Sequence, residues 1–269
     1  MCFMIKEKIV DLHAPYPKDK KRLVRVYIPE HEENQKLPVI YMTDGQNLLE
    51  EENCKYGCWH IREAVRAEFK NTGKSAVIVG IYNDIPKKRG KELTPKSIGK
   101  FQYPSFMAKI MISLFLKPQG EIFNDFIINT LKPHIEKNFP VKTGRNNTAF
   151  CGSSMGGLMS FFTGLNNSDL FSMTGVFSPN VMMYSKEDMK NWIQSKLTQN
   201  KTYLYMYAGK GNDMESKLYP AFEQTCQTLK EIYPKEFLKI VVKENGMHHE
   251  SHWEPVFKDF LHDFLAKNH

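Results

Sequence analysis

Ala149-Phe150-Cys151-Gly152-Ser153-Ser154-Met155-Gly156-Gly157-Leu158 is the stretch on which the fold turns. Upstream, Thr148 to Cys151 is a short apolar run suited to a buried strand; downstream, Met155 to Leu165 is an apolar run of helical length. Between them lies Gly-x-Ser-x-Gly, in which flanking glycines let the backbone turn sharply from strand to helix and hold the hydroxyl of Ser154 out above the end of a sheet. The bland alternative is a helix N-cap serine among flexible glycines. The bare pattern is weak, and its place after a strand and before a helix makes it strong.

Outward from this turn, short apolar runs alternate with helical patterns along the whole chain, the mark of an α/β fold with a mostly parallel central sheet and helices on both faces. Strands are predicted at Leu23–Ile28, Val39–Met42, Ala76–Tyr82, Thr148–Cys151, Thr174–Phe177, Thr202–Tyr207 and Leu238–Val242. Helices are predicted at Trp59–Phe69, Phe123–Phe139, Met155–Leu165, Lys186–Leu197, Leu218–Ile232 and Trp253–Ala266. No Gly/Ser linker or repeat divides them, so residues 1–269 read as one domain. The least regular piece is 86–120, which opens on the polar run Lys87 to Glu92 and turns apolar from Phe101 to Leu116. A connection this long inside a compact domain is usually functional. We expect a cap insertion at 86–120, with 101–116 either lining a substrate pocket above Ser154 or packing as core.

Composition excludes several classes. The net charge of +7 comes from basic residues interleaved with acids, and the densest cluster, Lys18 to Arg22, sits in a turn-rich stretch, so no nucleic-acid role is expected. No apolar run reaches the ~18 residues of a membrane span. Five cysteines without a basic, apolar leader suggest reduced thiols and a cytoplasmic protein. The Cys54–Cys58 pair lacks a second pair at zinc-finger spacing, and neither a metal nor a cofactor is expected.

A serine hydroxyl needs a base, and the base needs an orienting carboxylate. On sheets carrying this kind of turn the chain order is Ser, then Asp or Glu, then His. After Ser154 the histidines are His248, His249, His252, His262 and His269. His262 falls inside the last helix and His269 at the terminus, whereas His248 and His249 lie in the loop between the last strand and the last helix.

Several further segments resemble the esterase family of α/β-hydrolases that includes enterochelin esterases, feruloyl and acetyl-xylan esterases and S-formylglutathione hydrolase. Tyr41-Met42-Thr43-Asp44-Gly45-Gln46-Asn47 resembles its HDGQN segment, with Thr43 where His is usual. Glu92-Leu93-Thr94-Pro95 resembles its E-Y/L-T-P segment, Phe177-Ser178-Pro179 its F-S-P, and His248 to Trp253 its H-x-E-x-x-W. The likeness runs from about Leu23 to Leu265. It implies an α/β-hydrolase fold, Ser154 as nucleophile, His248 rather than His249 as base, and an oxyanion hole formed by the Met155 and Gln46 amides. The orienting acid should follow the strand ending near Tyr207, in Ala208 to Glu215; Asp213 is the first choice and Glu215 the reserve, and either could instead cap the next helix.

The expected activity is hydrolysis of a carboxylic ester through an acyl-enzyme, on a small-molecule or oligosaccharide ester with acyl, acetyl or feruloyl groups. Acyl transfer from the same intermediate, or a non-catalytic binding protein on this scaffold, are the rival expectations. Oligomeric state is not legible.

Overall fold

The computed structural model describes residues 4–17, 20–49, 54, 57–83, 86–102, 117–197 and 199–267, with the side chains of 86 and 87 left aside. In chain order the strands are β1 (Met4–Ile5), β2 (Lys8–Tyr16), β3 (Lys20–Ile28), β4 (His31–Glu32), β5 (Val39–Thr43), β6 (Val77–Ile81), β7 (Thr148–Ser153), β8 (Met173–Phe177), β9 (Tyr203–Gly209) and β10 (Leu238–Lys243). The helices are α1 (Ile61–Thr72), α2 (Pro86–Glu92), α3 (Gly120–Phe126), α4 (Lys132–Asn138), α5 (Met155–Asn166), α6 (Lys186–Ser195), α7 (Met214–Ile232) and α8 (Glu250–Lys267).

The main sheet has eight strands in the order β10-β9-β8-β7-β5-β6-β3-β2. From β10 to β6 all neighbours are parallel; β3 runs antiparallel to both β6 and β2. All seven predicted strands and all six predicted helices are present. Beyond the short pair β1 and β4, an edge strand and a helix were not foreseen. Lys8–Tyr16 forms the edge strand β2, whose half-exposed, charged sequence with Pro15 carries no apolar run. Pro86–Glu92, read as a polar loop, is helix α2. The single helix expected over 123–139 is interrupted by a π turn at Ile127–Leu131, where the Lys132 amide donates to the Ile127 carbonyl. Pro133 follows at once, and its ring and missing N–H cannot be fitted to a regular ladder.

Alternation along β5 shows how the layers form: Val39 and Tyr41 enter one core and Ile40 and Met42 the other. The first core joins the sheet to α3, α4, α5, α6 and α7 through Phe126, Ile135, Phe161, Trp192 and Phe222. The second joins it to α1 and α8 through Val65, Trp253, Phe257 and Phe260. Strand order reverses its direction of growth between β5 and β7, since β6 follows β5 on one side and β7 lies on the other. In open α/β sheets the crevice beyond the carboxyl ends of such a pair is where ligands bind. Asp44–Asn47 follows β5 and Ser154 follows β7, so the two segments singled out above meet at that crevice.

The described part of 86–120 packs on the body: Leu93 and Ile98 are buried in the first core, Phe101 lies against Tyr184 with ring centroids 5.4 Å apart, and the Gly120 amide donates to the Thr94 carbonyl at 2.9 Å. Most of the apolar segment expected to line the pocket or pack as core, residues 103–116 of 101–116, lies outside the described residues.

Candidate active site

Ser154 sits between β7 and α5 with φ 60° and ψ −122°, a conformation that a non-glycine residue adopts only where its surroundings enforce it. They do so through the Phe177-Ser178-Pro179 segment. The Ser154 amide donates to the Phe177 carbonyl at 2.9 Å, and the Asn180 amide donates to the Ser154 carbonyl at 3.1 Å. The glycines leave room for the approach of β5. A Cβ on Gly152 would stand 2.4 Å from Thr43 Oγ1, and one on Gly156 would stand 2.1 Å from the same atom and 2.9 Å from Asp44 Oδ2. Thr43, the position where this chain departs from the HDGQN pattern, therefore crowds both glycines, and the Gly156 carbonyl oxygen, 2.5 Å from a Cβ on Gly152, closes that position as well.

His248 precedes α8 and its imidazole is mostly covered, set edge-on to Trp253 at 5.0 Å between centroids. Trp253 is fixed in turn, donating from Nε1 to Ser178 Oγ at 3.0 Å and lying 5.7 Å from Trp59. The F-S-P segment thus touches both the serine turn and the support of the histidine. His249 points elsewhere, its Nδ1 3.3 Å from the Ser251 amide.

The carboxylate beside the imidazole is Glu215, the reserve, and not Asp213. Glu215 Oε1 lies 3.2 Å from His248 Nδ1, with the glutamate side chain fully buried. Its other oxygen, Oε2, is buried without a hydrogen-bond partner among the described residues. Asp213 is the N-cap of α7: Oδ1 accepts from the Glu215 amide at 3.0 Å and Oδ2 from the His248 amide at 2.8 Å. The different placement of the two carboxylates has a plain cause. At the N-cap the short aspartate side chain curls onto the first free amides of the helix, and two residues later the longer glutamate reaches the ring. Loop against loop, the Gly211 amide donates to the Gly246 carbonyl at 2.7 Å, and a Cβ on Gly209 would stand 2.1 Å from that carbonyl oxygen.

On the other side of the serine, Asp44 adopts a left-handed conformation, φ 56° and ψ 44°, and opens the 3-10 turn Gly45–Asn47. Short polar residues tolerate this region when their side chains are held. Asp44 is gripped by Arg89 of α2, with Nε 2.5 Å from Oδ1 and Nη2 2.8 Å from Oδ2, and by Nδ2 of Asn83 on Oδ1. A Cβ on Gly45 would meet the Gly80 backbone at 2.6 Å, so the turn presses on β6. The amides of Gln46 and Met155 both fall in the first turn of a helical segment, where N–H groups have no partner within the helix.

Two groups of this site were not read from the sequence. Glu250 is buried and accepts from Asn47 Nδ2 at 2.9 Å. Burial, reinforced by the charge of Asp44 and offset by Asn47 and His248, pushes its pKa up to about 7. It lies inside the H-x-E-x-x-W segment, which was its only signal. Arg89 had none beyond its polar run. The E-L-T-P segment serves elsewhere: Glu92 pairs with buried Arg22, and the Pro95 carbonyl accepts from the Tyr184 hydroxyl.

A family model described as "Putative esterase" matches residues 18–266. Among solved structures, the BES protein of Bacillus cereus superposes with a TM-score of 0.70 at 20% identity, covering 96% of this chain and 94% of that one. The siderophore hydrolase EstA of Aspergillus nidulans superposes with a TM-score of 0.71 at 16% identity, covering 97% and 94%. A CE1 ferulic acid esterase of Anaeromyces mucronatus, solved with ferulic acid, superposes with a TM-score of 0.66 at 17% identity, covering 98% and 92%. These structures share the α/β-hydrolase fold with the chain described here.

Proposed function

Since this chain belongs to the family described as "Putative esterase", we propose that it hydrolyses carboxylic esters through a serine-bound acyl intermediate at the crevice between β5 and β7. In this reading Ser154 attacks the acyl carbon while His248 takes its proton, and the imidazolium then returns that proton to the leaving alkoxide. Water repeats the cycle to free the acid. Glu215 replaces Asp213 in the role of orienting acid: with Nδ1 donating to Glu215, Nε2 carries the lone pair that a base needs. The Met155 and Gln46 amides stabilise the oxyanion, each such donor contributing about 10²–10³ in kcat. Asp213 positions both partners by holding their backbone amides.

The observation that carries the reading is the buried Glu215 carboxylate against His248 Nδ1. A fully buried carboxylate with one oxygen unpaired is unfavourable for folding, and orienting a catalytic base gives a reason for it. We assign the substrate to acyl esters of sugars or small molecules, including aromatic acyl groups; one structural relative is named a siderophore hydrolase and another a ferulic acid esterase. In this reading the setting is cytoplasmic, in keeping with the reduced thiols expected from the sequence.

The test joins labelling to activity. A fluorophosphonate should modify Ser154 stoichiometrically, and Ser154→Ala should abolish hydrolysis across acetyl, butyryl and feruloyl esters while the protein stays folded. Labelling at Ser153, or activity retained in Ser154→Ala, refutes the assignment.

A further inference from the structure

The chemistry proposed above needs two loops in register: the turn after β5, which presents the Gln46 amide, and the loop before α8, which carries His248. Asn47 is the last residue of that turn and is buried, and its backbone is already committed. Its amide donates to the Asp44 carbonyl at 2.9 Å, and its carbonyl accepts from the Trp59 amide at 2.9 Å. With the main chain pinned on both sides, the side chain reaches the start of α8, Nδ2 donating to Glu250 Oε1 at 2.9 Å, both groups being withdrawn from water. Glu250 is two residues beyond His248 and opens α8.

We infer that Glu250 is a positioning residue for ester hydrolysis, locking the oxyanion turn to the base loop through Asn47. The inference rests on the esterase reading and adds to it a connection between the two halves of the site.

A carboxylate at this position does more than an amide could. Among the described residues, the charged and titratable groups that bear on it are Asp44, itself paired with Arg89, on the β5 turn, and His248 on its own loop. From the segment before α1, Gly57 lies against Glu250 Cβ and His249, where a Cβ would be 3.3 Å from the former and 2.6 Å from His249 Cε1. Withdrawal from water and the charge of Asp44 hold the Glu250 acid until about neutral pH. Ionised, it accepts a charge-assisted hydrogen bond from Asn47; protonated, it accepts a weaker one. The lock is therefore tight above neutrality and loosens as the carboxylate takes up its proton.

A double-mutant cycle on kcat for an activated ester tests this with a pH profile beside it. Glu250→Ala and Asn47→Ala should each lower kcat about ten- to a hundredfold, the scale on which misplacing a reacting group slows an enzyme, with KM within about twofold. The double variant should be no worse than the worse single one. Glu250→Gln keeps an acceptor for Asn47 and should recover most of the kcat lost in Glu250→Ala. Because a neutral acceptor keeps the bond in weaker form, the ratio of wild-type to Glu250→Gln kcat/KM should be a few fold at about pH 8 and fall to about one at about pH 6, where Glu250 has taken up its proton. Additive losses in the cycle, an effect confined to KM, or a ratio independent of pH overturn the inference. If Glu250→Ala does not fold, Asn47→Ala and the pH dependence of that ratio decide. Wild-type protein that a fluorophosphonate labels at Ser154, with unchanged kcat in both alanine variants, overturns this inference alone; unlabelled, inactive wild type overturns the esterase reading and the inference with it.

Discussion

Neutralising Glu215 separates its role from that of Asp213. In Glu215→Gln the side chain keeps its length and burial, and Oε1 can still accept from Nδ1, so in the proposed mechanism the loss is almost purely the charge that stabilises the imidazolium formed in each proton transfer. With the two groups 3.2 Å apart and an effective dielectric of about 20, that attraction is about 5 kcal/mol. Spread over the transition state, this corresponds to about 10³–10⁴ in kcat, the same scale as the ~10⁴ lost when the orienting carboxylate of a Ser-His-Asp triad becomes an amide. KM should stay within about twofold, since ground-state binding does not use the imidazolium. Asp213→Asn is the contrast. It turns one of two acceptors toward an amide it can no longer bind, at a stability cost of about 1–2 kcal/mol, and should lower kcat only about tenfold. Steady-state kinetics on an activated ester, with thermal unfolding followed by circular dichroism for each variant, read both effects. If Glu215→Gln stays folded and within tenfold of the wild type while Asp213→Asn loses 10³ or more, the geometric assignment is wrong and Asp213 is the orienting acid.

Two further outcomes bear on the supports of the site. Gly156→Ala places a Cβ 2.1 Å from Thr43 Oγ1 and should destabilise the protein by about 1–3 kcal/mol in urea unfolding, the usual cost of overpacking; Thr43→Ala in the same chain should recover part of that loss, and no recovery would remove Thr43 as the cause. Glu250, its pKa raised from 4.5 to about 7, binds more protons folded than unfolded in between, so wild-type stability should fall as pH rises through that window and stay lowered above it. Glu250→Gln should therefore match the wild type near pH 4.5 and exceed it by up to about 3 kcal/mol above pH 7; a difference independent of pH would show that burial does not hold the acid.

Much of the architecture was legible because burial on both faces writes strands such as Val77–Ile81 and Thr148–Ser153 as continuous apolar runs. β2 escaped because an edge strand keeps its charges, as in Lys8, Asp11 and His13. α2 escaped because a surface helix of lysines and arginines reads as a solvated loop until Arg89 is seen on Asp44. For the proposed site, Ser154 and His248 are marked by spacing and chain order, which depend on local backbone geometry. The Asn47–Glu250 contact joins residues 203 positions apart, and no local pattern encodes such a pairing.

The choice between Asp213 and Glu215 shows where one-dimensional reading stops. Both carboxylates lie where a free helix N-terminus favours negative charge, and both are accounted for by capping alone. Side-chain length divides the work. One methylene shorter and at the cap itself, Asp213 satisfies the Glu215 and His248 amides; one methylene longer and inside the first turn, Glu215 reaches Nδ1. A single aspartate thereby fixes the main chains of the proposed acid and the proposed base to each other, and the ring-to-carboxylate contact follows from that placement. Exchanging the two residue types, with Glu at 213 and Asp at 215, conserves charge and composition yet should break both contacts. Activity in that double variant should fall at least as far as in Glu215→Gln, and near-normal turnover would show that the position of charge matters here and its reach does not.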